Sequence, residues 1–177
     1  IEEINKVLPQ DIKIFATQRV TKSFNSKENC DARTYSYTLP TYVLTKMDET
    51  FDEKSYRLPA ERFEELNKIL SIYVGTKNYH NFTIRKEPND PSCRRYIMSF
   101  ECPEPFVPEN TEVEFARLKV KGQSFMMHQI RRMVGLVVAI MRGHVEPFVI
   151  AHALEKEKFP VPQAPGLGLV LEKTHYD

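Results

Sequence analysis

An arginine set into an apolar stretch is the side chain with most chemistry to offer in this 177-residue chain. It lies in Lys121-Gly-Gln-Ser-Phe-Met-Met-His-Gln-Ile-Arg131-Arg-Met-Val-Gly135. The spacing predicts a helix over 123–141, with Phe125, Met126, Ile130, Met133, Val134, Leu136, Val137, Ile140 and Met141 giving it broad apolar coverage. At about 100° per residue, Ser124, His128, Arg131 and Gly135 fall on one polar-and-small stripe, and Arg132 points about 100° away from Arg131. Holding a guanidinium out of water costs several kcal/mol unless it is paired, so a buried Arg131 demands a carboxylate or an anionic ligand. If the stripe faces water instead, Arg131 is an ordinary solvated charge. Ser124 and Gly135 leave room there for another backbone or a substrate to approach closely.

The remaining cations are unevenly placed. Lys and Arg together number 25 against 24 Asp and Glu, a net charge of +1, so no global field announces a partner. The distribution is one-sided: residues 115–145 hold Arg117, Lys119, Lys121, Arg131, Arg132 and Arg142 with no acidic residue. Such placement makes a basic surface on a near-neutral protein, or simply a solvated charged face. If the partner is RNA, Lys119, Lys121 and Arg132 are the candidate phosphate contacts, and affinity then falls with salt.

Other chemistries find little support. His80, His128, His144, His152 and His175 are scattered without metal-ligand spacing, and no glycine loop of the phosphate-cradling type occurs. His80 and Asn81 touch RNA or cap a turn, and the turn is the simpler reading. Cys30, Cys93 and Cys102 are odd in number and widely spaced, which fits a reducing interior better than a disulfide framework. The apolar run is broken by His128, Arg131 and Arg132, which argues against a membrane span.

The elements that must position these residues follow from periodicity. Ile1 to Pro9 reads as the last turns of a helix in a piece of a longer chain, and residues 12–20 as a strand. Residues 33–44 alternate, with Tyr35, Tyr37 and Leu39 on one face. A helix runs from Pro59 to a stop at Gly75, carrying Phe63, Leu66, Ile69, Leu70 and Tyr73 inward. Strands follow near 94–102 and over 112–121, the latter with Ala116, Leu118 and Val120 inward and Arg117, Lys119 and Lys121 outward. After the long helix come a short one near 147–156 and a final strand over 166–172. From residue 33 the order is ferredoxin-like βαββαβ, an α+β fold with both helices on one face of a mainly antiparallel sheet.

Three patches together resemble the tRNA pseudouridine synthase A (TruA) family in its eukaryotic branch. Ala32-Arg-Thr-Tyr35-Ser-Tyr37 is similar to its Arg-x-Tyr-x-Tyr strand. Gly122 to Gly135 is similar to its Phe-x-x-His-x-x-Arg-x-x-Val-Gly segment. Ala164-Pro-Gly-Leu-Gly168-Leu169-Val-Leu171 is similar to its Ala-Pro-x-x-Gly-Leu-x-Leu strand. The resemblance implies isomerisation of uridine to pseudouridine in RNA, chiefly tRNA, with no cofactor and no metal. In that family a catalytic Asp attacks the uridine, and the base detaches, turns and rejoins the ribose through carbon. Carried over by motif, Arg131 pairs with that Asp, Tyr35 stacks on the uracil and assists proton transfer, and Leu169 closes the pocket.

One departure bears on activity. The family's Arg-Thr-Asp-x-Gly loop is absent, and the aspartates present are Asp11, Asp31, Asp48, Asp52, Asp90 and Asp177, none in that context. The resemblance therefore implies that residues 1–32 are the tail of the synthase domain's N-terminal half and 33–177 its C-terminal half. The rest of the same protein is then its partner, the chain alone is inactive, and residence is nuclear or mitochondrial. The rival reading is a non-catalytic RNA-binding module of the same topology, or a protein-interaction domain descended from the synthase.

Overall fold

A computed structural model describes residues 1–176; Asp177 lies outside the described residues. The chain divides into two units, residues 1–30 and 31–177. In the first, α1 (Glu2–Val7) follows Ile1, and Asn5 fastens it locally by exchanging two 2.8 Å hydrogen bonds with the backbone of Ile14. The strand expected over 12–20 does not form. Ile12, Phe15 and Val20 stay in solvent, Phe15 at 83 % exposure, and no strand of the described sheet pairs with it. A strand without a neighbour leaves its backbone to water.

The second unit is built on a five-stranded antiparallel sheet of order β2-β3-β4-β1-β5. The strands are β1 (Ala32–Pro40), β2 (Gly75–Asn78), β3 (Arg94–Glu101), β4 (Phe115–Gly122) and β5 (Leu169–His175). The helices are α2 (Ala60–Ser71), α3 (Gln129–Met141) and α4 (Val149–Leu154). Without β2, the order β3-β4-β1-β5 is that of a βαββαβ sheet, as the periodicity predicts. β2 escapes notice because Gly-Thr-Lys-Asn is too short and polar to show alternation. It adds a brief edge beside β3.

Alternation sets the faces. Tyr37, Leu39, Ala116, Leu118, Val120, Ile97 and Phe100 turn to one side, where Leu66, Ile69 and Leu70 of α2 and Met133, Leu136 and Val137 of α3 meet them in one core. Arg117, Lys119 and Lys121 turn to the other side, which carries no helix in this core. Leu66, Leu70, Leu118, Met133 and Val137 are fully buried. Pro40 ends β1 by removing a ladder donor, and Thr41–Leu44 turn off as a 3-10 helix.

The long helix starts six residues later than its apolar periodicity predicts. Gln123 N–H still donates to Tyr96 O at 3.1 Å, continuing the strand's direction. His128 adopts a left-handed φ of 64°, which interrupts helical winding just before α3. The Gln129 side chain then accepts from Met126 N–H at 2.9 Å, closing a loop in which Phe125 and Met126 are tucked against the core. A partly buried loop thus carries the apolar density of a helix. Ser124 and His128 leave the stripe; Arg131 and Gly135, four residues apart, remain stacked one turn from each other on α3. The final strand likewise starts at Leu169, because Gly166–Gly168 form a turn closed by Leu169 N–H to Gly166 O at 3.2 Å.

Candidate active site

Arg131 sits in the first turn of α3 and is half-buried. A segment arriving from α4, Pro162 to Gly166, lies along the helix at that level. Its backbone binds the arginine twice: Ala164 N–H donates to Arg131 O at 3.0 Å, and Arg131 Nε donates to Ala164 O at 2.8 Å. Gly135 makes this approach feasible. A Cβ there would stand 2.4 Å from Pro162 O and 2.8 Å from its carbonyl carbon, which backbone does not tolerate. The close neighbour that the glycine admits is this chain's own backbone.

The terminal nitrogens of Arg131 meet one side chain. With its amide oxygen turned to the guanidinium, Gln163 accepts from Nη2 at 2.9 Å and from Nη1 at 3.2 Å. Among the described residues, no carboxylate pairs with Arg131. A neutral amide oxygen fills the position that a carboxylate would occupy on a planar fork of donors.

The tyrosine strand faces this arginine through the same segment. Tyr37 OH donates to Pro165 O at 2.8 Å, the carbonyl next to the one held by Arg131. Burial raises the Tyr37 pKa, and the Arg131 charge pulls it back, so the two groups feel one another. Gly168 lies flat on this tyrosine: a Cβ would come 3.0 Å from its ring and 2.5 Å from Thr38 O. Two residues earlier, Tyr35 is half-buried and packs edge-on against Phe125, centroids 5.3 Å apart at 82°. Leu169 pairs with Tyr37 across β1 and β5 and is half-buried, and Leu171 pairs with Tyr35. Side chains directly opposite in an antiparallel pair share a face. Arg131 and Tyr37 thus meet on neighbouring carbonyls of one segment, and Tyr35, with Phe125 on its edge, and Leu169 stand beside Tyr37 on β1 and β5.

Of the residues singled out from sequence, Tyr35 and Leu169 lie on the paired strands β1 and β5, and Arg131 on α3 reaches the strand only through the 164–165 carbonyls that it shares with Tyr37. Lys119 and Lys121 are not: they lie on the opposite sheet face, Lys119 at 3.7 Å from the Glu172 carboxylate. Arg132 points elsewhere again, its Nη1 donating to Asn81 O at 3.1 Å. Asn81 is buried and braces its surroundings, bonding Ala153 O, Glu157 O and Phe159 N. Sequence reasoning missed Tyr37 and Gln163 as members of the site. Alternation did put Tyr37 on the Tyr35 face, whereas no sequence signal marks Gln163. No group of three or more His, Cys, Asp and Glu among the described residues could hold a metal ion. None of the helices described is long and apolar enough to cross a membrane.

A family model described as tRNA pseudouridine synthase matches residues 69–177. Over its full 177 residues the chain is 53 % identical to the pseudouridylate synthase 1 homolog of Mus musculus and 52 % identical to that of Homo sapiens, covering 41 % of each. A tRNA pseudouridine synthase 1 of Kluyveromyces lactis is 30 % identical over 251 residues, with 99 % of this chain and 45 % of that protein aligned. The chain thus spans about two fifths of the length of the mouse and human relatives.

Proposed function

This chain belongs to the eukaryotic branch of the tRNA pseudouridine synthase family, and from that premise we propose that it supplies the arginine side of a site that isomerises uridine in tRNA. The observation carrying this reading is the Arg131 fork, half-buried, held at Nε by Ala164, and facing no carboxylate of the described residues. The nucleophilic Asp comes from the remainder of the same protein, the N-terminal half of the synthase domain. Exposed apolar residues on β5 and just before it, Leu167, Val170 and Leu171, sit at an open sheet edge where that remainder can add.

The reaction conserves atoms and oxidation state. The N1–C1′ bond of uridine breaks with the Asp carboxylate engaged at the sugar or base, the uracil turns, and a C5–C1′ bond forms. C5 loses its proton and N1 ends protonated. Arg131 keeps the Asp ionised and aimed, because a cation in contact lowers a carboxylate pKa. Tyr35 offers the detached ring a stacking face and a hydroxyl for proton transfer, and Leu169 walls the opposite strand. Lys119, Lys121 and Arg132 contact RNA phosphates outside this centre.

Release of tritium from C5-labelled uridine in tRNA measures the activity. The complete protein is expected to release it and residues 1–177 alone are not; release by this chain alone contradicts the two-part site. Tyr35→Ala removes a stacking face worth about 1–3 kcal/mol, so single-turnover efficiency falls by roughly 10- to 100-fold. Tyr35→Phe keeps the ring on Phe125 and isolates the hydroxyl's share. Equal rates for wild type and Tyr35→Ala would remove this residue from the site.

A further inference from the structure

Arg132, next to the candidate active-site arginine, lines a separate pocket of about 340 Å³ together with His80, Asn81, Lys86, Lys158 and Phe159. Its walls are built rather than incidental. Asn81 ties the Ala153–Phe159 stretch into place with three side-chain hydrogen bonds and holds Arg132 through its carbonyl. Arg132 Nε is nevertheless buried without a partner. His80 is 3 % exposed, and neither ring nitrogen makes a hydrogen bond of good geometry. A buried polar group left so costs about 1–3 kcal/mol, and each such group in a native fold calls for an explanation.

The charges around the pocket narrow the ligand. Lys86 is hydrogen-bonded to Asp90 at 2.6 Å, and Lys158 to Glu87 at 3.2 Å. Arg132 meets no carboxylate among the described residues. Three cations stand against two carboxylates, a local excess of one positive charge. Burial lowers the His80 pKa first of all, while the Glu157 backbone and Glu87 raise it and Lys158 lowers it again. The imidazole is therefore neutral near pH 7, and its one N–H has only the poorly aligned Glu157 carbonyl to compete with a ligand. Arginine, lysine and a neutral imidazole N–H converging on one small cavity suit an oxyanion of low charge better than a cation or an apolar group.

We propose that this pocket seats one backbone phosphodiester of the RNA substrate, held by Arg132 and His80 with Lys86 and Lys158 at its rim. The inference rests on the synthase reading for its choice of RNA as the source of the phosphate. Arg131 and Arg132, successive residues of one helix, then tie the base to be isomerised and a fixed point on the RNA backbone to the same rigid element.

The test is the salt dependence of tRNA affinity in the complete protein, with wild-type tritium release measured in parallel. Each lost phosphate contact flattens the slope of log K against log salt by about 0.7–0.9, and Arg132→Gln is expected to do so. Lys158→Gln, at a side chain 73 % exposed, cannot act by unfolding and is expected to move the slope the same way, by less. Unchanged slopes in both variants, with wild-type turnover intact, overturn the pocket and leave the synthase reading standing. Flattened slopes without wild-type turnover keep the phosphate subsite and sink the synthase reading. Binding of inorganic phosphate with no change in either RNA slope also overturns the proposal.

Discussion

Replacing Arg131 with alanine in the complete protein is expected to lower the single-turnover rate of uridine isomerisation by roughly 10²–10⁴-fold, while tRNA affinity changes little. The magnitude follows from what the guanidinium is asked to do. Removing one partner of a desolvated ion pair costs about 3–5 kcal/mol, and each 1.36 kcal/mol that reaches the barrier is about tenfold in rate. Affinity is expected to be spared because the Arg131 fork is engaged by Gln163 and Ala164 O, away from the residues proposed to contact phosphates. Arg131→Lys recovers part of the rate at most, since an ammonium cannot reproduce a two-pronged contact while also holding Ala164 O. A rate within threefold of wild type for the alanine variant would mean that the arginine is structural only.

The second large effect is expected at Gly135, where even alanine is too much. Its Cβ would lie 2.4 Å from Pro162 O, a backbone atom that can give way only by moving the whole 162–164 segment off the helix. Overpacking of this kind costs about 1–3 kcal/mol, or roughly 2–10 °C in melting temperature for a protein of this size. The loss does not stop at stability. The displaced segment contains Gln163 and Ala164, which hold the Arg131 side chain, so turnover at a temperature where the variant is fully folded drops as well. Alanine at Gly143 is the contrast: no atom lies within 4 Å of its Cβ position, and its φ of +79° costs strain without touching the site. Gly135→Ala and Gly143→Ala both melting lower, with only the former losing rate, is the expected pattern.

What could be read from residues alone depended on how local the cause was. β1 and β4 announce themselves because each buries one face, so Tyr35, Tyr37 and Leu39 alternate with polar neighbours, as do Ala116, Leu118 and Val120. The α3 start was obscured because Phe125 and Met126 pack against the core from a loop rather than a helix. The loop before the left-handed His128 is tied to β3, far away in sequence, by Gln123 N–H to Tyr96 O and by Arg95 Nη1 to Ser124 Oγ. The stripe logic still found Arg131 and Gly135 together, since four residues are one turn in any helix containing both. Gln163, the Tyr37 bond to Pro165 O and the bracketing of Arg131 by Ala164 were out of reach, because they arise from a 33-residue return of the chain onto α3. The pocket around Arg132 was invisible for the same reason: Asn81, His80 and Lys158 converge only through the Ala153–Phe159 stretch.

The most direct test of an ion pair between Arg131 and the nucleophilic Asp is the pH dependence of single-turnover isomerisation in the complete protein and its Arg131→Gln variant. A cation in contact lowers a carboxylate pKa by about 1–3 units, and the Asp works only when ionised. Its activity is therefore present above that pKa and lost as pH falls through it. Without the guanidinium the pKa rises, so the acid limb of the variant's profile is expected to move to higher pH by about that interval. An acid limb at the same pH in both proteins, with the rate merely scaled down, would contradict the pairing.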